Sequence, residues 1–135
     1  MLHWRELIKN VDQKDIEEYG VFREAPDSDK NHRLNGVVVS KKTTKSYNIV
    51  CMMDTQTFQE NTSMKVFCNC EDFAFRRAYV LHKYDALLAP QNFILTPPKK
   101  TNPNEIVSTC KHIKVFLLLK FNSKVKHMST EKDSI

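Results

Sequence analysis

The stretch Met64-Lys65-Val66-Phe67-Cys68-Asn69-Cys70 decides how this chain is organised. Its first five residues have the composition of a β-strand, which is predicted to end at Cys68. Alternate side chains of a strand point to opposite faces, so Cys68 and Cys70 can meet only if the backbone turns in a tight knuckle between them. Asn69 is expected at that bend because asparagine tolerates left-handed backbone geometry.

Cys110 and His112 form a second pair, separated from Cys70 by 39 residues. The apolar run that follows them predicts a helix over 111–121. Positions two apart on a helix lie about 200° apart around its axis, so both side chains cannot come from the middle of a helix. We therefore expect Cys110 just before the helix and His112 in its first turn. A strand end and a helix start would then meet at one point.

Three thiolates and one imidazole are the ligand set of a closed tetrahedral zinc site. We expect Cys68, Cys70, Cys110 and His112 to hold one structural Zn²⁺, with backbone N–H groups at the helix start favouring the thiolate form. Four such ligands leave no open position for water or substrate, which argues against catalysis at the metal. The patterns are short, and the alternative is that these thiols pack in the core as small hydrophobic groups.

His82 and Cys51 are rival ligands. Neither has a partner at ligand spacing, and both are readily explained as packed or exposed residues. Free thiols at ligand spacing are typical of proteins made in a reducing compartment, so the four cysteines indicate a cytoplasmic site of synthesis.

The sequence Cys68-Asn69-Cys70-Glu71-Asp72-Phe73 after a strand, with Cys110-Lys111-His112-Ile113 opening an apolar helix, resembles the SWIM-type zinc finger, whose pattern is C-x-C, a variable gap and C-x-H. The resemblance covers residues 33–121. It implies the same four ligands and a module that binds DNA or protein inside larger assemblies without doing chemistry. Two features depart from the family: the 39-residue gap is unusually long, and the finger makes up nearly the whole protein.

A second resemblance concerns the long gap between the two ligand pairs. A long-gap form with an aromatic and basic stretch like Phe73-Ala74-Phe75-Arg76-Arg77, and an Asn-Pro shortly before the last ligand pair, resembles small proteins of tailed phages. That resemblance implies a place in a virion or in its assembly.

The N-terminal part is predicted to be helical. Trp4, Leu7, Ile8 and Val11 recur at the spacing of an amphipathic helix. Asp12 is expected to cap a second helix, which Gly20 would end in a left-handed conformation.

The remaining patterns predict an α+β fold, with a small antiparallel hairpin or three-stranded sheet and flanking helices. Strands are predicted over 37–39, 47–53 and 64–68, and helices over 72–82 and 111–121. The domain organisation follows: an N-terminal helical segment and polar loop over 1–32, a SWIM-like domain over 33–121 and a polar tail over 122–135. Residues 87–109, called the insert below, are expected to form a loop because Pro97-Pro98 and Asn102-Pro103 interrupt regular structure, with a short extended piece over 93–95.

The 135 residues are 41% hydrophobic, which suits one domain, and the longest apolar run is far shorter than the roughly 20 residues that cross a bilayer. The net charge of +5 is uneven, at −1 over residues 1–60 and +6 over residues 61–135. Lysines beside zinc thiolates would explain this, but so would phosphate binding. The candidate phosphate contacts are Arg76, Arg77, Lys83, Lys99, Lys100, Lys111 and Lys114, with Phe73, Phe75 and Tyr79 available for stacking on bases.

These observations favour a non-enzymatic zinc-binding structural protein, a phage virion or assembly component by the second resemblance. Its hairpin, insert and termini are expected to dock on other protein subunits. The alternative is a nucleic-acid-binding zinc-finger module that contacts DNA or RNA. An enzyme is the least favoured class, because the sequence has no Cys/His nucleophile pair, phosphate loop or open metal site. No membrane partner and no small-molecule substrate are expected.

Overall fold

The computed structural model describes residues 1–26 and 32–122. It has a five-stranded antiparallel sheet in the order β1-β5-β4-β3-β2. The strands are β1 (Leu2–His3), β2 (Tyr19–Pro26), β3 (Arg33–Ser40), β4 (Ser46–Met53) and β5 (Ser63–Cys68). The helices are α1 (Trp4–Leu7), α2 (Gln13–Glu18), α3 (Ala78–Lys83) and α4 (Lys111–Leu117), with π-helical turns at Phe73–Arg77 and Leu118–Asn122. The predicted α+β class is confirmed, and the sheet is larger than the predicted three strands.

The N-terminal part differs from the prediction. Asp12 caps α2 as expected, and its side chain accepts a hydrogen bond from the backbone N–H of Lys14 at 2.9 Å. Gly20 does not end that helix in a left-handed conformation, because no glycine of the described residues has a positive φ. It lies in β2, where it pairs with Val39. The polar loop predicted near residue 30 lies outside the described residues, apart from Pro26, the last residue of β2.

One face of the sheet builds the core. In β4 the buried residues are Ile49, Cys51 and Met53, and in β5 they are Met64, Val66 and Cys68, so every second side chain points to the same side. α4 packs across this face and buries His112, Ile113, Val115, Phe116 and Leu117. Trp4 and Leu7 of α1, with Phe73, also lie in this core.

Gly36 in β3 lets α4 approach the sheet closely. A Cβ atom at this position would lie 2.2 Å from Cε1 of Phe116 and 2.7 Å from its Cζ. Those distances are far below van der Waals contact, so any larger residue would push the α4 helix away from the sheet. His112 lies on the same helix, so its distance from the sheet depends on this contact.

Contacts near both ends of the insert hold it against the rest of the domain. Leu87 forms a parallel bridge with Val66, with backbone hydrogen bonds of 3.0 Å from Val66 to Ala86 and from Leu88 to Val66. The extended part of the insert is therefore at Leu87. Residues 93–95, which were predicted to be extended, form no strand. Phe93 instead packs edge-on against Phe67 with ring centroids 5.5 Å apart.

The other end of the insert contacts the π-helical turn Phe73–Arg77. A π turn redirects backbone hydrogen bonds and leaves carbonyl groups without a helical donor. The Thr101 hydroxyl donates to the carbonyl of Phe75 at 2.7 Å, and Nδ2 of Asn102 donates to the carbonyl of Arg76 at 3.1 Å. The same Asn102 side chain also exchanges hydrogen bonds with the backbone of Ile106. The irregular turn and the insert therefore complete each other's hydrogen bonding.

Within the described ranges, none of the helices has the length and apolar character that crossing a bilayer requires.

Candidate metal centre

The structure brings together the four predicted ligands. The sulfur atoms of Cys68, Cys70 and Cys110 and a ring nitrogen of His112 all lie within 4.8 Å of one another. All four residues are buried, with at most 5% of the residue surface exposed. All four cysteines of the chain are free thiols.

The knuckle between Cys68 and Cys70 is held by an asparagine side chain. Asn69 Oδ1 accepts a hydrogen bond from the backbone N–H of Asn48 at 2.9 Å, and the Asn69 N–H donates to the Asn48 carbonyl at 3.3 Å. Asn69 thus continues the pairing of β5 with β4 by one residue while the backbone turns. Its φ is not positive, so the predicted left-handed geometry is wrong and the hydrogen bonds explain the asparagine.

Cys70 is placed by the helical turn that follows it. Its carbonyl accepts from the N–H of Ala74 at 3.2 Å, and its sulfur accepts from the N–H of Phe73 at 3.3 Å. A backbone N–H directed at sulfur stabilises the thiolate form of cysteine. This hydrogen bond therefore stabilises a negative charge on the Cys70 sulfur.

Cys110 and His112 are placed by the start of α4. Cys110 is the N-cap residue with an extended backbone (φ −73°, ψ 163°), and its carbonyl accepts from the N–H of Lys114 at 3.1 Å. His112 follows as the second helical residue, so the predicted arrangement of this pair is confirmed. Nδ1 of His112 lies 3.9 Å from the Cys68 sulfur.

The His112 ring lies among aromatic side chains. Tyr47 stacks on it with a centroid distance of 3.8 Å and an interplanar angle of 21°. Tyr19 meets it edge-on at 4.9 Å and 90°. Nε2 of His112 is buried, and none of the described residues forms a hydrogen bond with it.

The three thiols of the cluster differ in pKa. Hydrogen bonds from Cys110 and Cys68 lower the pKa of Cys70 well below its usual range. The contact with Cys110 lowers the pKa of Cys68, but a hydrogen bond to Cys70 together with burial raises it to about 12. Burial raises the pKa of Cys110. A bound cation would displace the remaining thiol protons of the cluster.

The cluster fits a metal ion. Ligand atoms about 2.0–2.3 Å from a tetrahedral ion lie about 3.5–3.8 Å from each other. The observed 3.9 Å between the Cys68 sulfur and Nδ1 of His112 is close to that spacing, and no pair of ligand atoms is more than 4.8 Å apart. Three sulfur donors and one imidazole are soft ligands that suit a transition metal. These residues could therefore hold one metal ion.

The two rival ligands lie outside the cluster. Cys51 is fully buried in β4, where burial raises its thiol pKa. His82 is an exposed residue of α3.

The basic residues proposed for phosphate binding have varied surroundings. Arg76 and Arg77 both pair with Asp72, at 3.4 and 3.5 Å, and Lys83 pairs with Glu105. Lys111 lies over the Tyr19 ring with its Nζ 5.2 Å from the centroid. Burial lowers the pKa of Lys114. Lys99 and Lys100 are exposed on the insert.

The three candidate stacking aromatics also differ in exposure. Phe73 is fully buried, so it cannot stack on a base, whereas Phe75 is 58% exposed. Tyr79 is half-buried.

Tyr47 and Tyr19 are site residues that sequence reasoning did not assign. Tyr47 shares the inward face of β4 with Ile49, Cys51 and Met53, which is the signal that could have placed it near the cluster. Tyr19 had no such signal because β2 was not predicted.

No protein-family model matches the chain, and no curated protein or solved structure is significantly similar to it.

Proposed function

We propose that this chain is a non-enzymatic zinc-binding structural protein of the SWIM type. The observation that supports it most strongly is the buried cluster of Cys68, Cys70, Cys110 and His112, with all ligand atoms within 4.8 Å. The cluster joins the end of β5 to the start of α4. Zn²⁺ is the ion that such a donor set with tetrahedral spacing binds most commonly as a structural element.

A structural role follows from the completeness of the ligand set. Four protein donors fill a tetrahedral shell, so no position remains for water or substrate. Burial of all four residues also keeps substrates away from the ion.

The partners in this proposal are other protein subunits, docked through the insert. Ile94 and Ile106 of the insert are 81% and 59% exposed, so the insert offers apolar side chains that a partner could cover. The insert is also tied to the metal-binding core through Thr101 and Asn102. The resemblance to small tailed-phage proteins makes a virion or its assembly the setting we propose.

A nucleic-acid-binding module is the second candidate. Phe75 has an exposed ring and is followed by Arg76 in the chain. Its backbone carbonyl accepts a hydrogen bond from Thr101, which follows Lys99 and Lys100 in the insert. An exposed aromatic ring near cations is the arrangement that binds single strands. The contacts of Arg76 and Arg77 with Asp72 count against it, because phosphate would have to displace them.

Metal analysis tests the proposed function. Protein purified without chelator is expected to contain one zinc per chain, and the Cys110→Ser variant much less. Cys51→Ser is the matched control, because it alters a buried cysteine outside the cluster. Substoichiometric metal in the wild-type protein, or equal loss in both variants, would contradict the proposal.

A further inference from the structure

The orientation of His112 needs an explanation. A metal-bound histidine normally donates its other ring N–H to a carboxylate, a carbonyl or a water, which fixes the tautomer and the ring orientation. In this protein Nδ1 is the nitrogen 3.9 Å from the Cys68 sulfur, while Nε2 is buried and has no hydrogen-bond partner within residues 1–26 and 32–122. His112 itself is only 3% exposed. A different contact must therefore hold the ring.

Two tyrosine rings contact the imidazole of His112. Tyr47 lies parallel to it at a centroid distance of 3.8 Å, and Tyr19 meets it at 90° and 4.9 Å. Parallel and edge-to-face packing are both favourable geometries for aromatic rings. Together the two contacts restrict rotation of the imidazole about its bond to Cβ.

The sheet register places both tyrosines on the same side. Tyr47 pairs with Val38, and Tyr19 pairs with Ser40, two residues further along β3. Val38 and Ser40 are buried on the same face of β3, so their partners also point toward α4. The two rings therefore come from strands on either side of β3 and are fixed by backbone pairing.

We propose that Tyr47 and Tyr19 are positioning residues for the metal ligand His112, and that ring packing replaces the usual hydrogen bond to its second nitrogen. The proposal rests on metal binding by the cluster. The rings hold Nδ1 toward the three sulfurs and keep water away from Nε2. For Tyr47 the aromatic ring is the functional part, so phenylalanine should replace it.

The experiment compares Tyr47→Phe, Tyr47→Leu and Tyr19→Leu with the wild-type protein. Tyr84→Leu is the control, since Tyr84 is 51% exposed and lies on the turn after α3. The readouts are the rate of zinc transfer to a chelating dye and the visible spectrum of the Co²⁺ form. We expect release to be at least about tenfold faster for both leucine variants at the site, with altered Co²⁺ bands, as for other residues that orient metal ligands. Tyr47→Phe and Tyr84→Leu should match the wild type.

A measurement on the wild-type protein does not depend on any variant folding. Nitrogen-15 spectra of the His112 ring in the zinc-loaded protein should show Nδ1 bound to the metal and a slowly exchanging proton on Nε2. Metal bound through Nε2, or wild-type release rates in Tyr47→Leu, would overturn this inference while leaving zinc binding intact. Failure of the wild-type protein to bind zinc would instead overturn the proposed function.

Discussion

Phe116 of α4 lies directly over Gly36 of β3, so close that any side chain on residue 36 would overlap with the Phe116 ring. Gly36→Ala should therefore destabilise the fold by about 1–3 kcal/mol through overpacking. Gly20→Ala is the matched control, because its Cβ would lie 3.7 Å from Cε of Lys41, an ordinary contact. Thermal unfolding followed by circular dichroism checks the difference. Equal melting temperatures for the two variants would show that the α4 helix can move without cost.

The ligand set can be tested residue by residue. Cys68→Ser, Cys70→Ser, Cys110→Ser and His112→Ala are each expected to lose zinc and to lower the melting temperature, because each removes one of four bonds to the ion. Cys51→Ser and His82→Ala should retain the metal. Zinc content by atomic emission is the measurement. Release of zinc by His82→Ala but not by His112→Ala would show that the ligand assignment is wrong.

The knuckle depends on the side chain of Asn69. Asn69→Ala removes the acceptor of the Asn48 N–H and should cost about 0.5–1.5 kcal/mol in stability. It should also weaken zinc binding, because Cys68 and Cys70 would be held less firmly. Asn35→Ala, an exposed change on β3, is the control. Competition with a chelator measures the affinity, and unchanged competition in Asn69→Ala would contradict this role.

The insert should be the most protease-sensitive internal segment of the free protein and become protected when a partner binds. Asn102 is one of the residues that keep it folded, with hydrogen bonds to Arg76 and Ile106. Asn102→Ala should therefore speed cleavage within 87–109 by limited proteolysis, whereas the exposed change Asn104→Ala should not. Equal cleavage before and after assembly would remove the support for docking through this segment.

Salt dependence separates the two candidate functions. Phosphate contacts would make DNA affinity fall linearly with salt on a log–log scale, and Arg76→Ala with Arg77→Ala would reduce both affinity and slope. We expect instead only binding of roughly 10⁻⁴ to 10⁻⁶ M at physiological salt, typical of non-specific association. The Asp72 contacts and the burial of Phe73 are the reasons. Submicromolar binding that the double variant abolishes would favour the nucleic-acid function.

The sequence predicted the parts of this fold whose signals are local. β4 and β5 contain runs of apolar and β-branched residues that predict strands, and the cysteine pairs have recognisable spacing. β2 was missed because Gly20 resembles a helix stop, and its strand conformation depends on pairing with β3. β1 has two residues and exists only through its pairing with β5.

The contacts around the site were harder to predict. The stacking of Tyr47 on His112 requires both the register of β4 against β3 and the seating of α4 over Gly36. The π-helical turn at Phe73–Arg77 has no sequence pattern of its own, since it is stabilised by Thr101 and Asn102 from the insert. Such features depend on residues far apart in the chain, which periodicity does not report.

The knuckle and the start of α4 lie next to each other, although 39 residues separate Cys70 from Cys110. An ion held between them acts as a removable cross-link that closes α3 and the whole insert into a loop, and such closure lowers the entropy of the unfolded chain. Unlike a disulfide, this cross-link forms only when a metal ion is supplied. The fraction of the chain whose insert is closed in this loop would then follow the availability of the ion.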